Sequence, residues 1–303
     1  MTAGYRALHE SAAWLDLTGR GKIVARGQDR ARLLHAMTTN HVEQLQAGGG
    51  CYAFFLDAHG HILGDVNILV GAEHHLLDTE PEVAERLYRH LDRHIIADDV
   101  MLQDVTSETA TLALEGPEAA DLLALVGAPV PASDYEHTAW GEATVARVSL
   151  TGAGGFLLFV PRKDRDSLAG LLTSAGAVPA IPEDALVVRL ESGKPRCGVD
   201  IAEDCLPQET QQMHALHSDK GCYIGQEIVE RVRSRGHVNR LLVRLAIEGE
   251  QPPASGVTSA AYSPALGKVV AFAYLRAEQA RPGSKVIVDD RQAEVLSPGR
   301  LGI

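Results

Sequence analysis

The sequence predicts an α+β fold that ends in a small antiparallel β-barrel. Two observations carry this prediction. Up to about residue 240, apolar residues recur with helical spacing in some segments and with strand-like alternation in others. After that point, short apolar strands follow one another between Gly, Pro and Ser turns. We therefore divide the chain into an α+β region, residues 1–240, and a barrel domain, residues 241–303.

The α+β region opens with a strand, a helix and a hairpin. Lys22–Arg26 is a predicted strand, and Asp29 can cap the helix that follows it. Cys51–Leu56 and Ile62–Val70 are predicted strands joined by a tight turn. Thr79 stands three residues before Glu82, which is the spacing of a capping box, so a second helix is expected there.

The later elements follow from the same periodicities. We predict strands at Met101–Val105, Thr109–Leu114, Glu142–Val148 and Phe156–Val160, and helices at Pro117–Val126, Asp164–Ala175 and Glu183–Leu190. Val24–Leu34 and Leu112–Leu123 share the order strand, glycine, acidic residue and Leu-rich helix. This similarity favours two related lobes, although strand–Gly–helix turns are also common in unrelated proteins. The barrel strands are predicted at Leu241–Ile247, Val257–Ala261, Lys268–Leu275, Lys285–Asp289 and Ala293–Leu296.

The composition excludes several classes of function. A net charge of -12, from 28 basic and 40 acidic residues, argues against general binding to nucleic acid or to anionic membranes. The aromatic fraction of 5% offers few platforms for stacking bases. No apolar run is long enough to span a bilayer, and residues 1–20 lack the apolar core of a signal peptide. We therefore expect a cytoplasmic protein.

The cysteine pattern supports neither a disulfide framework nor a metal site. The four cysteines are Cys51, Cys197, Cys205 and Cys222. None forms a CxxC pair, which leaves zinc-ribbon and thioredoxin readings without support. His214 and His217 lie near Cys222, but no fourth ligand is evident, so no metal site is predicted. A lone Cys222 cannot enclose an iron–sulfur cluster, which usually takes four thiolates.

The segment KGCYIGQE, from Lys220 to Glu227, gathers a cation, a thiol, a phenol, an amide and a carboxylate. A helix is predicted from about Gly225 to Val232, with Cys222 just before its N-terminus. The helix dipole stabilises an anion there by only about 0.3–1 kcal/mol, which is too little to make Cys222 mostly thiolate at neutral pH. Lys220 or a nearby arginine would have to stabilise the thiolate further. The alternative is a tight turn in which Cys222 is a small buried residue.

This segment, together with Arg231 and the Arg235-Gly236 pair, resembles the signature of the YgfZ-type folate-binding proteins. These are relatives of the glycine-cleavage aminomethyltransferase (T-protein), and they support iron–sulfur enzymes. Further segments stand in the order that this superfamily shows: Arg26–Arg30, Leu63–Asp65, Glu115–Pro117 and Arg189–Gly193. The resemblance implies a T-protein-like, multi-lobed fold with a central cavity and a tetrahydrofolate ligand.

The resemblance also assigns residues to the folate. The superfamily's glutamate at the position of Glu191 faces the pterin, where a carboxylate can accept two hydrogen bonds. The alternative is a solvated carboxylate or an ion pair with Arg189. T-proteins carry two adjacent aspartates, the first of them catalytic, where this chain has Gly64 and Asp65. Asp65 is expected to line the pocket. The other expected folate-binding residues are Lys220, Tyr223, Gln226 and Arg231, with Arg233 and Arg235 as further candidates for the anionic tail.

We interpret the chain as a tetrahydrofolate-binding protein that supports the assembly or repair of iron–sulfur enzymes. Cys222 would be the reactive or ligand-accepting residue, and the partners would be iron–sulfur enzymes or assembly proteins. Two alternatives stay open. One is an aminomethyl- or one-carbon transferase, against which Gly64 counts, and the other is a scaffold with a vestigial cavity.

Overall fold

The computed structural model describes residues 1–236 and 238–298, so His237 and residues 299–303 of the predicted barrel domain lie outside the described part. The helices are α1 (Ala3–Glu10), α2 (Arg30–Met37), α3 (Pro81–His94), α4 (Ala119–Leu125), α5 (Arg165–Ser174), α6 (Pro182–Ser192) and α7 (Gln226–Arg235). In the described part of the chain, none of them combines the length and the apolar character that crossing a membrane requires.

The strands lie between these helices and after α7. They are β1 (Ala13–Asp16), β2 (Gly21–Arg26), β3 (Gly50–Leu56), β4 (Ile62–Val70), β5 (His75–Thr79), β6 (Met101–Asp104), β7 (Thr109–Glu115), β8 (His137–Trp140), β9 (Ala143–Ala146), β10 (Gly155–Pro161), β11 (Val178–Pro179), β12 (Arg240–Ile247), β13 (Ser259–Ser263), β14 (Lys268–Arg276), β15 (Lys285–Val288) and β16 (Arg291–Val295).

These strands form three sheets. The first sheet has the order β3-β4-β5-β2-β6, the second has β11-β1-β7-β10-β9-β8, and the C-terminal sheet has β13-β14-β12-β16-β15. Among the described pairs, only β1 and β11 run parallel. The predicted fold class, α+β with a C-terminal domain of antiparallel strands, is confirmed. Each of the five strands predicted for that domain overlaps one strand of the C-terminal sheet.

Two segments of similar sequence adopt the same local form in different sheets. In the first sheet β2 leads through Gly27 into α2, and in the second β7 leads through Gly116 into α4. Both glycines have positive φ, 101° and 119°. A Cβ at Gly116 would lie 2.5 Å from the carbonyl oxygen of Ser11, so a side chain there would collide with the backbone.

Two predicted helix caps are wrong because tertiary contacts replace them. Asp29 precedes α2 but makes no capping hydrogen bond. Its carboxylate instead accepts a 2.8 Å bond from the backbone N–H of Asp99. Thr79 ends β5 rather than capping α3, and its hydroxyl donates a 2.6 Å bond to the backbone carbonyl of Asp65.

One continuous apolar core joins the first sheet to the C-terminal sheet. Phe54 and Leu56 of β3, Leu190 of α6 and Phe272 of β14 belong to the same buried cluster. Burial on this scale contributes roughly 25 cal/mol for each Å² of apolar surface removed from water. The C-terminal end of α6 is therefore held between the two sheets, and this places the residues that follow it beside β3 and β4.

Candidate functional site

Strands β3 and β4 place a tyrosine and an aspartate on one face of the first sheet. Asp65 lies opposite Phe54 in the strand register, and side chains alternate between the faces of a strand, so Tyr52 and Asp65 share a face. The Tyr52 hydroxyl donates a 2.9 Å hydrogen bond to Oδ2 of Asp65. Among the buried side-chain atoms of the described residues, Oδ1 of Asp65 is the one carboxylate oxygen without a hydrogen-bond partner. Asp65 therefore keeps an unused acceptor.

The Asp65 carboxyl group changes charge close to neutral pH. Burial, and to a lesser degree the Glu80 carboxylate, raises its pKa to about 6, while Arg20 and the Tyr52 hydroxyl act in the opposite direction. The buried Arg20 guanidinium donates two 2.8 Å hydrogen bonds to Asp78 and also pairs with Glu80. The Arg20 guanidinium is thus shared with two other carboxylates, and this limits how far it stabilises the Asp65 charge.

Gly64 faces away from this group. A Cβ on Gly64 would lie 3.1 Å from side-chain atoms of Val83 and Leu87, which are buried on α3. A carboxylate at this position would point into the apolar face of the helix. The weight of Gly64 against transferase chemistry stays a prediction. Asp65 is the carboxylate that β4 turns toward Tyr52.

Lys194 brings a cation to the same tyrosine. At the C-terminus of α6, Gly193 adopts a left-handed conformation with φ 74° and ψ 29°, which turns the chain. Nζ of Lys194 lies 6.0 Å from the centroid of the Tyr52 ring, at the outer limit of a cation–π contact. Burial lowers the pKa of Lys194, and the carboxylates of Glu115 and Asp65 partly offset this effect. We call Tyr52, Asp65 and Lys194 the central cluster.

Glu191 lies in a closed hydrogen-bonded network. Its buried carboxylate accepts a 2.8 Å bond from the Tyr5 hydroxyl and a bond from the Ser263 hydroxyl, and it contacts Nε2 of His9 at 2.8 Å. These partners belong to α1 and β13, so the carboxylate ties three elements together. It is neither solvated nor paired with Arg189, which binds another carboxylate. Its contact with a pterin stays a prediction.

Lys220 anchors the loop that carries Cys222, and its contact with folate stays a prediction. Its buried ammonium donates to the backbone carbonyls of His35 and Thr38 at the C-terminal end of α2, where a cation is favoured. It also lies 4.8 Å from the centroid of the Tyr223 ring. Burial lowers the pKa of Lys220 to about 8. Its hydrogen bonds with described residues do not include Cys222, so they give no support to Lys220 as the cation that activates the thiol.

The remaining motif residues build the entrance to α7. The helix begins at Gln226, one residue after the predicted start, and Oε1 of Gln226 accepts a 3.3 Å bond from the backbone N–H of Tyr223. Gly225 has φ 82°, and a Cβ on it would lie 2.7 Å from the carbonyl oxygen of Asp57. This glycine lets the loop pack on the β3–β4 hairpin. Folate contacts of Tyr223 and Gln226 stay predictions.

The arginines of α7 differ in their availability. Arg233 pairs with Glu230 at 3.0 Å and donates a 3.1 Å bond to the carbonyl of Ser218. Arg231 is exposed, and its guanidinium forms no ion pair with any side chain that the structure describes. The side chain of Arg235 lies outside the described part. Arg231 therefore stays the predicted contact for an anionic tail.

The four cysteines fall into two classes. Cys222 is exposed, whereas the other three are buried. Burial raises the pKa of Cys51 to about 12 and also raises the pKa values of Cys197 and Cys205. The buried thiols are therefore protonated at neutral pH and shielded from solvent. Cys222 is the thiol that a reagent or partner protein can reach.

A histidine links the central cluster to the Cys222 loop. His214 stacks on Tyr52 with ring centroids 5.2 Å apart and planes 22° apart. His217 contacts His41 edge to face at 5.3 Å. Within residues 1–236 and 238–298, no group of three or more His, Cys, Asp or Glu side chains is arranged to hold a metal ion. The ring of His217 also accepts a 3.2 Å hydrogen bond from the backbone N–H of Asp219.

A cavity of about 190 Å³ lies between the turn after α6 and the C-terminal sheet. Its lining includes Arg244 and Phe272, together with Gly193 and Pro195, which flank Lys194 in the chain. Sites for small organic ligands typically measure about 300–1,000 Å³. This cavity is smaller than a whole folate requires, so we base the candidate site on the central cluster at the same turn.

Comparison with known proteins agrees with this architecture. Residues 1–220 match the GCVT N-terminal domain family, and residues 225–298 match the glycine cleavage T-protein C-terminal barrel domain. The chain belongs to the glycine-cleavage T-protein family. An aminomethyltransferase from Rubrobacter xylanophilus is 33% identical over 316 residues, which span 95% of this chain and 83% of the relative. One from Geobacillus kaustophilus is 30% identical over 313 residues, spanning 95% and 85%.

The T-protein fold is also found among solved structures. The crystal structure of the glycine cleavage system aminomethyltransferase T from Bartonella henselae matches with a TM-score of 0.89 and 20% identity. The match covers 97% of this chain and 87% of that one. At this identity the likeness establishes the fold alone. The T-protein superfamily predicted from the ordered sequence segments is confirmed.

Proposed function

We propose that this T-protein family member binds tetrahydrofolate or a derivative and supports the assembly or repair of iron–sulfur enzymes, as a protein of the YgfZ type. The observation that carries the proposal is the exposure of Cys222 within the KGCYIGQE segment, while the other three cysteines are buried. A thiol that acts on a partner must be reachable from solvent. The proposed partners are iron–sulfur enzymes or their assembly proteins in the cytoplasm.

The central cluster supports the folate part of the proposal. A pterin presents an amino group and ring N–H donors next to a carbonyl acceptor. Oδ1 of Asp65 offers an acceptor with no protein partner, and Lys194 offers a donor. Bound tetrahydrofolate would supply ring nitrogens that carry one-carbon units. Asp65 and Lys194 would hold the ring, and Arg231 is proposed to contact the anionic tail.

Cys222 supports the iron–sulfur part of the proposal. Thiolates are strong nucleophiles and soft ligands for iron. The loop that presents Cys222 is fixed on one side by the bonds of Lys220 to α2 and on the other by the packing of Gly225 on the β3–β4 hairpin. A fixed loop presents the thiol to a partner in one orientation. The cluster or its iron would be cargo of the partner and not a resident group of this chain.

Folate affinity is expected to fall as the pH drops from 7 to 5. The pKa of Asp65 is raised to about 6. If the ionised form accepts the pterin donors, only about a tenth of the sites are competent at pH 5, so affinity falls roughly tenfold. Calorimetric titration with tetrahydrofolate across this pH range measures the effect. In an Asp65→Asn variant, the part of the pH dependence of folate affinity that comes from Asp65 should vanish. Protonation of the ligand itself affects both proteins equally. An identical pH profile in the two proteins would contradict this role for Asp65.

An aminomethyltransferase is the second candidate function, and a specific observation favours it. Asp65 lies on the Tyr52 face of β4, whereas position 64 faces α3. The chain therefore retains a buried carboxylate beside Tyr52, and its relatives from Rubrobacter xylanophilus and Geobacillus kaustophilus are named aminomethyltransferase.

Turnover in a reconstituted glycine-cleavage system separates the two candidates. We expect no methylene-tetrahydrofolate above background when this protein replaces the T-protein, because the pair of adjacent aspartates implied by the resemblance is reduced to Asp65. The T-protein of the same system is the positive control. Robust turnover that Asp65→Asn abolishes would establish the transferase function instead.

A further inference from the structure

Lys194 carries an ammonium group that the protein leaves without an acceptor. The side chain is half-buried, and its Nζ forms no hydrogen bond or ion pair with the residues that the structure describes. The other two lysines of the interior are satisfied. Lys22 donates to the Thr18 carbonyl at 2.9 Å, and Lys220 donates to two carbonyls of α2. Lys194 therefore keeps a hydrogen-bond donor that a ligand can use.

The carboxylates near Lys194 act on it only from a distance. Glu115 is buried, and its two oxygens accept bonds from the Ser149 and Thr151 hydroxyls and from the backbone N–H of Leu150, each at 2.6 Å. Asp65 uses one oxygen for the Tyr52 hydroxyl and leaves the other free. The central cluster therefore offers one unused donor and one unused acceptor, both close to Tyr52.

The backbone that carries Lys194 is rigid. Its N–H donates a 3.0 Å bond to the carbonyl of Arg189, and its own carbonyl accepts a 3.0 Å bond from the Arg189 guanidinium. Gly152, with φ 79°, lets the chain approach closely, because a Cβ there would lie 2.7 Å from Cβ of Ser192 and 3.7 Å from Cβ of Lys194. A ligand would meet a donor whose backbone is already placed, which reduces the entropy lost on binding.

We infer that Lys194 determines specificity for the 2-amino-4-oxo edge of the pterin ring, by donating a hydrogen bond to the 4-oxo oxygen while Asp65 accepts from the neighbouring ring N–H. This inference rests on the proposed folate binding. The pterin edge places donors directly beside that carbonyl, and Oδ1 of Asp65 and Nζ of Lys194 offer the complementary acceptor and donor around the same tyrosine. Glu191, to which the resemblance gives the pterin donors, already accepts from the Tyr5 and Ser263 hydroxyls and contacts His9.

The test compares Lys194→Met with the wild type on two ligands. Methionine keeps the length and apolar stem of lysine and removes the charge. Affinity for tetrahydrofolate should fall about ten- to hundredfold, as expected for a lost charge-assisted hydrogen bond. The affinity of Lys194→Met for the tetrahydrofolate analogue that carries a 4-amino group in place of the 4-oxo group should equal or exceed that of the wild type. In this variant the 4-amino donor no longer faces an ammonium group. Lys194→Arg should retain the preference for the 4-oxo ligand.

Controls keep the outcomes distinct. Lys163→Met removes an exposed lysine that pairs with Glu142 at 3.6 Å, and it should change neither affinity. Circular dichroism and thermal melting verify that each variant is folded, and Lys194→Gln replaces any variant that is not. Equal tetrahydrofolate affinity in folded Lys194→Met and wild type would overturn the inference alone. No tetrahydrofolate binding by the wild type would overturn the proposed function and the inference with it. Guanosine carries the same edge, so tighter binding of guanosine than of tetrahydrofolate would overturn the folate proposal.

Discussion

A Cys222→Ser variant is expected to lose all support of iron–sulfur enzymes in cells that lack the native protein, while its fold and its folate affinity are kept. Serine matches cysteine in size but is a far poorer nucleophile and soft-metal ligand. Because Cys222 is exposed, the substitution should change the free energy of unfolding by less than about 0.5 kcal/mol. The activity of an iron–sulfur enzyme in the complemented cells is the measurement.

Cys205→Ser is the matched control for this experiment. Sγ of the buried Cys205 lies 3.0 Å from the hydroxyl of Tyr274, and a serine can keep that hydrogen bond. We expect this variant to complement. Iodoacetamide labelling read by mass spectrometry tests the chemistry directly, since Cys222 should react before Cys197 and Cys205. Full complementation by Cys222→Ser, with no faster labelling of Cys222, would show that the motif serves only to shape the loop.

Glu191→Ala is expected to destabilise the protein by about 3–5 kcal/mol, the largest stability effect that we predict for a single substitution. The change removes the acceptor of the Tyr5 and Ser263 hydroxyls and the partner of His9, and it leaves buried polar groups unsatisfied. Urea unfolding followed by circular dichroism measures the loss.

Glu191→Gln is the control for charge and size. Its amide oxygen can still accept a hydrogen bond, so it should lose less stability than Glu191→Ala. A loss below about 1 kcal/mol in Glu191→Ala would contradict the structural role of the network. A weaker folate affinity in this variant is informative only at a temperature where the variant is folded, because α1, α6 and β13 all depend on the same carboxylate.

Local patterns in the sequence predict most of the elements that carry the site. The helix after the KGCYIGQE segment, the hairpin that contains Asp65 and the strands of the C-terminal sheet follow from periodicity and turn residues. These features depend on neighbours within a few residues. The short elements are missed: α1, β1, β5, β8 and β11 lack a long enough periodic run.

Tertiary contacts decide the details that local patterns cannot supply. The partners of Glu191 on α1 are 182 and 186 residues away in sequence, and the carbonyls that bind Lys220 are 182 and 185 residues away. No local rule relates such positions. The orientation of Gly64 toward α3 could have been predicted by counting the hairpin register, since β4 alternates between α3 and Tyr52. Lys194 could have been singled out as a cation directly after the segment Arg189–Gly193.

A crystal structure of this protein with bound tetrahydrofolate would show directly whether the pterin ring binds at the central cluster. We expect the pterin ring at the central cluster, within hydrogen-bond distance of Oδ1 of Asp65 and Nζ of Lys194. The glutamate tail should extend toward the surface that presents Arg231. A pterin bound elsewhere, such as in the 190 Å³ cavity beside Arg244, would contradict the assignment of the site. Crystals that take up no folate at saturating concentration, with no heat of binding in solution, would contradict the folate function itself.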